Sequence, residues 1–144
     1  MNKKTTNKII FKEFNKLLNK CKKNGDVPVA AIIVNKNKII ARGFNKRHKN
    51  KNVLAHAEIN AISKANKRLK KWNLSDCEMY VTLKPCTMCE AVIRQAKIKK
   101  IYYLLDKLPN KKEYYKTKFE IINDEEEKNK YKKLLSSFFS DLRK

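Results

Sequence analysis

AHAEINAISKANKRLKK (55–71), EMYVTL (78–83), PCTMCEAVIRQA (85–96) and KKIYYLL (99–105) follow one another with few residues between them. In the first, Ile59, Ile62, Ala65 and Leu69 recur at helical spacing and share one face. The second and fourth are short, apolar and rich in aromatic and β-branched residues, as strands are. In the third, Pro85 suits the opening of a helix over 86–96, where its missing N–H has no helical partner to lose. Helix–strand–helix–strand order makes the flanking strands parallel, because the chain must cross over between them.

Upstream, Ile10, Phe14, Leu17, Leu18 and Cys21 form the apolar stripe of a first helix over 6–23. Asn24-Gly25-Asp26 stops it. VPVAAIIV (27–34) and KIIARGF (38–44), separated by Asn35-Lys36-Asn37, read as a hairpin. NKRHKNKNVL (45–54) is a polar, basic loop. Downstream, 106–117 is charged and irregular, and FEII (119–122) has the composition of a last short strand. Asp124 to Glu127 then place negative charge where a helix N-terminus favours it. That helix runs to about residue 142, with Tyr131, Leu134, Leu135, Phe138 and Phe139 expected to face inward. The expected fold is a three-layer α/β/α domain over 1–144, with a mixed five-stranded sheet and helices on both faces.

The 144 residues match the size of one domain, and an apolar fraction of 42% argues against global disorder. A formal net charge of +22 fits a polyanionic partner, since lysines that neutralise phosphates release counterions. It fits an A/T-rich genome equally well, because nearly all the basic residues are lysine and asparagine is abundant too. No stretch approaches the length of a membrane span, and no apolar run of signal-peptide length follows MNKKTTNKIIFKEF (1–14). The chain is therefore expected to begin at Met1 and to be cytoplasmic, with its four cysteines as thiols or metal ligands.

Two of those cysteines, Cys86 and Cys89, stand at i and i+3, on one face of a helical turn. A helix N-terminus favours thiolates through its free N–H groups. His56 opens the other helix, so one imidazole and two thiolates make three zinc ligands. Zinc takes about four, which leaves one position for water, as in catalytic and not structural sites. A structural site needs a fourth Cys or His, and the spare thiols Cys21 and Cys77 read as small buried hydrophobes. Glu58 is too close in sequence to His56 to be a comfortable second ligand, but is well placed to move the water's protons.

H-x-E, a strand and then P-C-x-x-C resembles the signature of zinc-dependent nucleobase deaminases. In such an enzyme, hydroxide attacks an amidine-like carbon of the base. Glu58 would deliver the proton to the adjacent ring nitrogen and then to the departing amine. The stretch from VPVAAIIV through RGFN, AHAEINAI and MYVTLKPCTMC is similar to the bacterial tRNA adenosine deaminases, which make inosine at the wobble position. LLSSFFSDLRK (134–144) resembles that family's last helix. The resemblance implies a cytidine-deaminase-like fold, one Zn2+ held by His56, Cys86 and Cys89, and Glu58 as proton shuttle. It further implies that Asn45 hydrogen-bonds the target nucleotide, that the Ala57 N–H faces the reacting centre, and that Val27, Pro28 and Val29 wall the flipped base. Asp106, Phe138 and Phe139 would contact the anticodon loop of a tRNA, and the protein would be a homodimer. Departures are Lys84 for Glu, Ala30 and Ala91 for Gly, and LLDKLPNKKEYYKTK (104–118) in place of a glycine-rich loop, so Asp106 aligns only with a one-residue gap. Two other functions stay open: a deaminase of a free base or nucleotide, of guanine, cytosine or deoxycytidylate type, and a catalytically silent RNA-binding subunit. The intact Glu58 disfavours the second.

Overall fold

Alternation along β1 (Ala30–Asn35) decides the layering. Successive side chains of a strand point to opposite faces. Ala30, Ile32 and Val34 pack with Ile10, Phe14, Leu17 and Cys21 of α1 (Lys3–Asn24), while Ala31 and Ile33 pack with Ala57, Ala61, Ile62 and Ala65 of α3 (Ala57–Leu69). Apolar character on both faces is what a strand covered by helices on either side requires. A computed structural model describes residues 3–106 and 117–142 of the chain, which divides into two compact units, 1–111 and 112–144.

In the first unit β1 pairs antiparallel with β2 (Lys38–Phe44) and with β3 (Cys77–Leu83), and β3 pairs parallel with β4 (Lys100–Leu105), in the order β2-β1-β3-β4. The sheet is thus mixed, as expected, with the crossover between β3 and β4 made by α4 (Thr87–Gln95). Lys36 and Asn37 carry the hairpin turn with positive φ, the conformation that matches the twist of its strands. Gly25, at φ +73°, ends α1, with Asp26 N–H donating to Cys21 O and Gly25 N–H to Lys22 O. The segment 45–54 holds a short helix, α2 (Arg47–Asn50), where a plain loop was expected. The buried Asp26 accepts from the N–H groups of His48 and Lys49 at its start, which satisfies donors a loop would leave to water.

The described sheet has four strands, not five. FEII (119–122) is irregular, with Ile122 86% exposed. An apolar, β-branched tetrapeptide forms a strand only where a partner edge and a covering surface accompany it, and the second unit supplies no strand among its described residues. That unit carries α5 (Glu125–Leu142). Its stripe of Tyr131, Leu134, Leu135, Phe138 and Phe139, expected inward, is exposed. Periodicity marks which face of a helix is apolar; burying it takes a second element, and the described part of this unit has none.

Candidate metal centre and active site

Two helix starts supply the chemistry. His56 is the N-cap of α3, with extended backbone (φ −77°, ψ 154°), and its C=O accepts the first helical bond from Asn60 N–H at 3.0 Å. Cys86 is the N-cap of α4 in the same way, its C=O accepting from Glu90 N–H at 2.8 Å. Both starts lie past the carboxyl end of β3, the usual location of ligands in open α/β sheets.

The position of α3 is fixed from β2. A β-carbon on Gly43 would overlap Ala57 O and lie 2.6 Å from Ala61 N. Glycine is what lets helix and strand approach this closely. Asn60 Nδ2 donates to Phe44 O at 3.0 Å and adds a second tie between the end of β2 and the first turn of α3. Gly43 and Asn60 receive no role from the sequence, and Asp26 is placed only in the stop of α1. Gly43 alone left a signal there, since an isolated glycine inside a strand pattern marks close approach of another backbone.

The three expected donors converge. His56 Nδ1 lies 3.7 Å from Cys86 Sγ and 3.5 Å from Cys89 Sγ, and all three atoms fall within 4.8 Å of one another. Tetrahedral zinc with its normal Zn–S and Zn–N bond lengths would separate nitrogen from sulfur by about 3.6 Å, so the donor set fits that ion. Among the described residues no fourth His, Cys, Asp or Glu joins the group. Cys21 and Cys77 are buried elsewhere as free thiols, Cys21 donating to Val29 O and Cys77 pushed up to about 11 by burial and by Asp76.

Glu58, 4% exposed, lies in the first turn of α3 beside Cys89. Burial raises its pKa, against a backbone hydrogen bond and the Cys89 side chain, which lower it. Burial also drives the Cys89 thiol far up, with further contributions from Glu58 and Cys86. Burial of the Cys89 sulfur and the Glu58 carboxyl side by side disfavours their anionic forms, and a divalent cation reverses that.

The remaining expected residues fall into three groups. Asn45 is buried, and its Nδ2 donates to Val27 O at 3.1 Å while its Oδ1 accepts from Arg47 N–H. Its own N–H donates to Val29 O, and Lys46 N–H donates to Ala55 O, the residue before His56. The structure thus brings Asn45, Val27–Val29 and the start of α3 together. Val27, Pro28 and Val29 precede β1 and do not belong to it, because Pro28 has no N–H to give a ladder; Val27 is 62% exposed. Asp106 follows β4, with its Oδ1 3.9 Å from Lys84 Nζ, and Lys84 N–H donates to Leu105 O just ahead of Pro85 and Cys86. Phe138 and Phe139 belong to the second unit. Expected to face inward, both rings are a little over half exposed, at 56% and 55%, and they meet edge-on at 5.4 Å.

The model of the MafB19-like deaminase family matches residues 5–143. The tRNA-specific adenosine deaminase of Buchnera aphidicola subsp. Schizaphis graminum is 36% identical over 129 residues, covering 83% of this chain and 85% of that one. The chain spans little more than half the length of most curated relatives it matches, 51% to 62%. A solved structure from work on A-to-I editing by tRNA:A34 deaminases at the wobble position superposes with a TM-score of 0.62 and 35% identity, over 67% of this chain and 77% of that one. Guanine deaminase from Bacillus subtilis superposes with a TM-score of 0.74 and 26% identity, over 94% and 95%.

Proposed function

This chain belongs to the MafB19-like deaminase family, together with the bacterial tRNA-specific adenosine deaminases, and we propose that it is a zinc-dependent hydrolase that converts adenosine to inosine at the wobble position of a tRNA. The observation that carries the chemistry is the convergence of His56 Nδ1, Cys86 Sγ and Cys89 Sγ beside the buried Glu58. Zinc bound there supplies Lewis acidity toward water. Glu58 takes a proton from the attacking water as its oxygen adds to C6 of the purine. It passes that proton to N1, then carries the second to the amine as the C6–N6 bond breaks, releasing ammonia and leaving the carbonyl.

Asn45 holds the target nucleotide at the pocket edge, against Val27, Pro28 and Val29, with Ala57 N–H facing the reacting centre. Asp106, Phe138 and Phe139 contact the anticodon loop. The relatives named for tRNA support this substrate, and so does the +22 charge. The match over 5–143 spans both units, which supports one deaminase domain over 1–144. The protein acts in the cytoplasm as a homodimer. No described helix is long and apolar enough to cross a membrane.

The guanine deaminase likeness over 94% of the chain favours a second reading, a deaminase of a free base. Zinc-loaded protein incubated separately with an anticodon stem-loop, adenosine, guanine, cytosine and deoxycytidylate separates the two. The tRNA reading expects inosine in the RNA. Xanthine from guanine with the RNA unchanged would overturn it.

A further inference from the structure

Three lysines from three different elements lie near the end of β2, an edge strand of the sheet: Lys20 on α1 and Lys46 just after β2, both against the Phe44 ring, and Lys64 on α3, close enough to feel the charge of both. Lys46 Nζ stands 4.6 Å from the centroid of the Phe44 ring, and Lys20 Nζ 5.8 Å from the same centroid. Phe44 is itself buried, so the ring is a fixed base on which two ammonium groups are held. Lys64 titrates below the usual lysine range, first because it is partly desolvated and then because Lys46 and Lys20 repel its charge. The basic groups Lys16, Arg42, Lys71, Lys84, Arg94, Lys128 and Lys130 each have an acidic partner. These three have no ion pair among the described residues.

Missing partners alone mean little in a chain with 36 basic and 14 acidic residues. Convergence is what sets this group apart. Three like charges drawn together repel, and a bound anion relieves that repulsion. The cluster also has a definite address. Lys46 N–H is pinned to Ala55 O, one residue before His56, and Lys46 follows Asn45, whose side chain is tied to Val27 O. Lys46 therefore ties the cluster to the rim of the site.

We propose that Lys20, Lys46 and Lys64 form a phosphodiester-binding subsite that grips the RNA backbone beside the nucleotide being deaminated. This rests on the tRNA reading above. Lys46 holds the phosphate nearest the target, and Lys20 and Lys64 hold its neighbours along the strand.

The test compares two triple variants of equal charge change. Lys20→Gln/Lys46→Gln/Lys64→Gln removes the cluster. Lys36→Gln/Lys38→Gln/Lys97→Gln removes three lysines at the opposite end of the sheet, beside the β1–β2 turn and the entry to β4. Binding of an anticodon stem-loop to each zinc-loaded protein is measured across a salt series. Each phosphate contact to a single strand contributes about 0.7 to the slope of log affinity against log salt, so the first triple lowers the slope by about 2. The control triple leaves it near wild type. The KM for the stem-loop rises in the first triple, while kcat at saturating RNA and zinc content hold. The three single variants, each worth about 0.7 in slope, keep the test available if the triple misfolds. Equal slopes for the two triples overturn the subsite and leave the tRNA reading standing. Failure of the wild-type protein to bind the stem-loop overturns both.

Discussion

Glu58 and His56 are two residues apart, yet the account gives them unrelated tasks. In the proposed mechanism His56 Nδ1 is one of three metal donors, and the buried Glu58 moves protons without binding the metal. That division yields a sharp expectation for Glu58→Ala. Turnover falls by at least about 10²–10⁴-fold, the usual worth of a positioned general acid–base, while zinc content and thermal unfolding stay at wild-type levels. Kinetics together with metal analysis on the same preparation checks it. Zinc lost along with activity would show that Glu58 is a ligand. His56→Ala and Cys86→Ala behave oppositely and lose zinc first, with activity following the metal. The grouping of His56, Cys86 and Cys89 with Glu58 close by was legible in the sequence because residue type and spacing encode it directly. Gly43 was legible only as an oddity, and Asn60 not at all. The first matters through a side chain that is absent, and the second through a bond to a backbone carbonyl sixteen residues away.

Gly43 belongs to the scale of elements, because it sets how closely α3 lies on β2. Gly43→Ala pushes a β-carbon into Ala57 O and moves the turn that holds His56 and Glu58. Overpacking of this kind costs about 1–3 kcal/mol, so urea unfolding should show a lower midpoint, and zinc affinity should fall with it. A variant as stable and as tight for zinc as wild type would mean that α3 is placed by something else. Apart from α2, the elements between residues 30 and 105 were legible because each has both its periodicity and its covering partner, as the alternation of Ala30, Ile32 and Val34 against Ala31 and Ile33 shows. FEII and the α5 stripe carry the same kind of pattern without a cover in their own unit, and there pattern alone misleads. Helix α2 escaped because its support comes from Asp26, distant in sequence. The charged segment 107–116 lies outside the described residues.

At the scale of the molecule, the second unit and the large positive charge have, in the proposed function, a part in substrate recognition and none in the chemistry. Phe138 and Phe139 offer two exposed rings on α5. If they stack on loop bases, Phe138→Ala/Phe139→Ala weakens stem-loop binding by about 1–3 kcal/mol per base lost, with zinc content unchanged. Fluorescence titration reads this directly, and unchanged affinity would remove α5 from RNA recognition. The deaminase reading presupposes a catalytic metal centre with one position open, and X-ray absorption at the zinc edge probes that centre most directly. The account predicts about one zinc per chain, with two sulfur neighbours near 2.3 Å and two lighter atoms near 2.0 Å, one from His56 and one not from the protein. A shell of three or four sulfurs, or a fourth protein ligand, would mean a closed structural site and would contradict it.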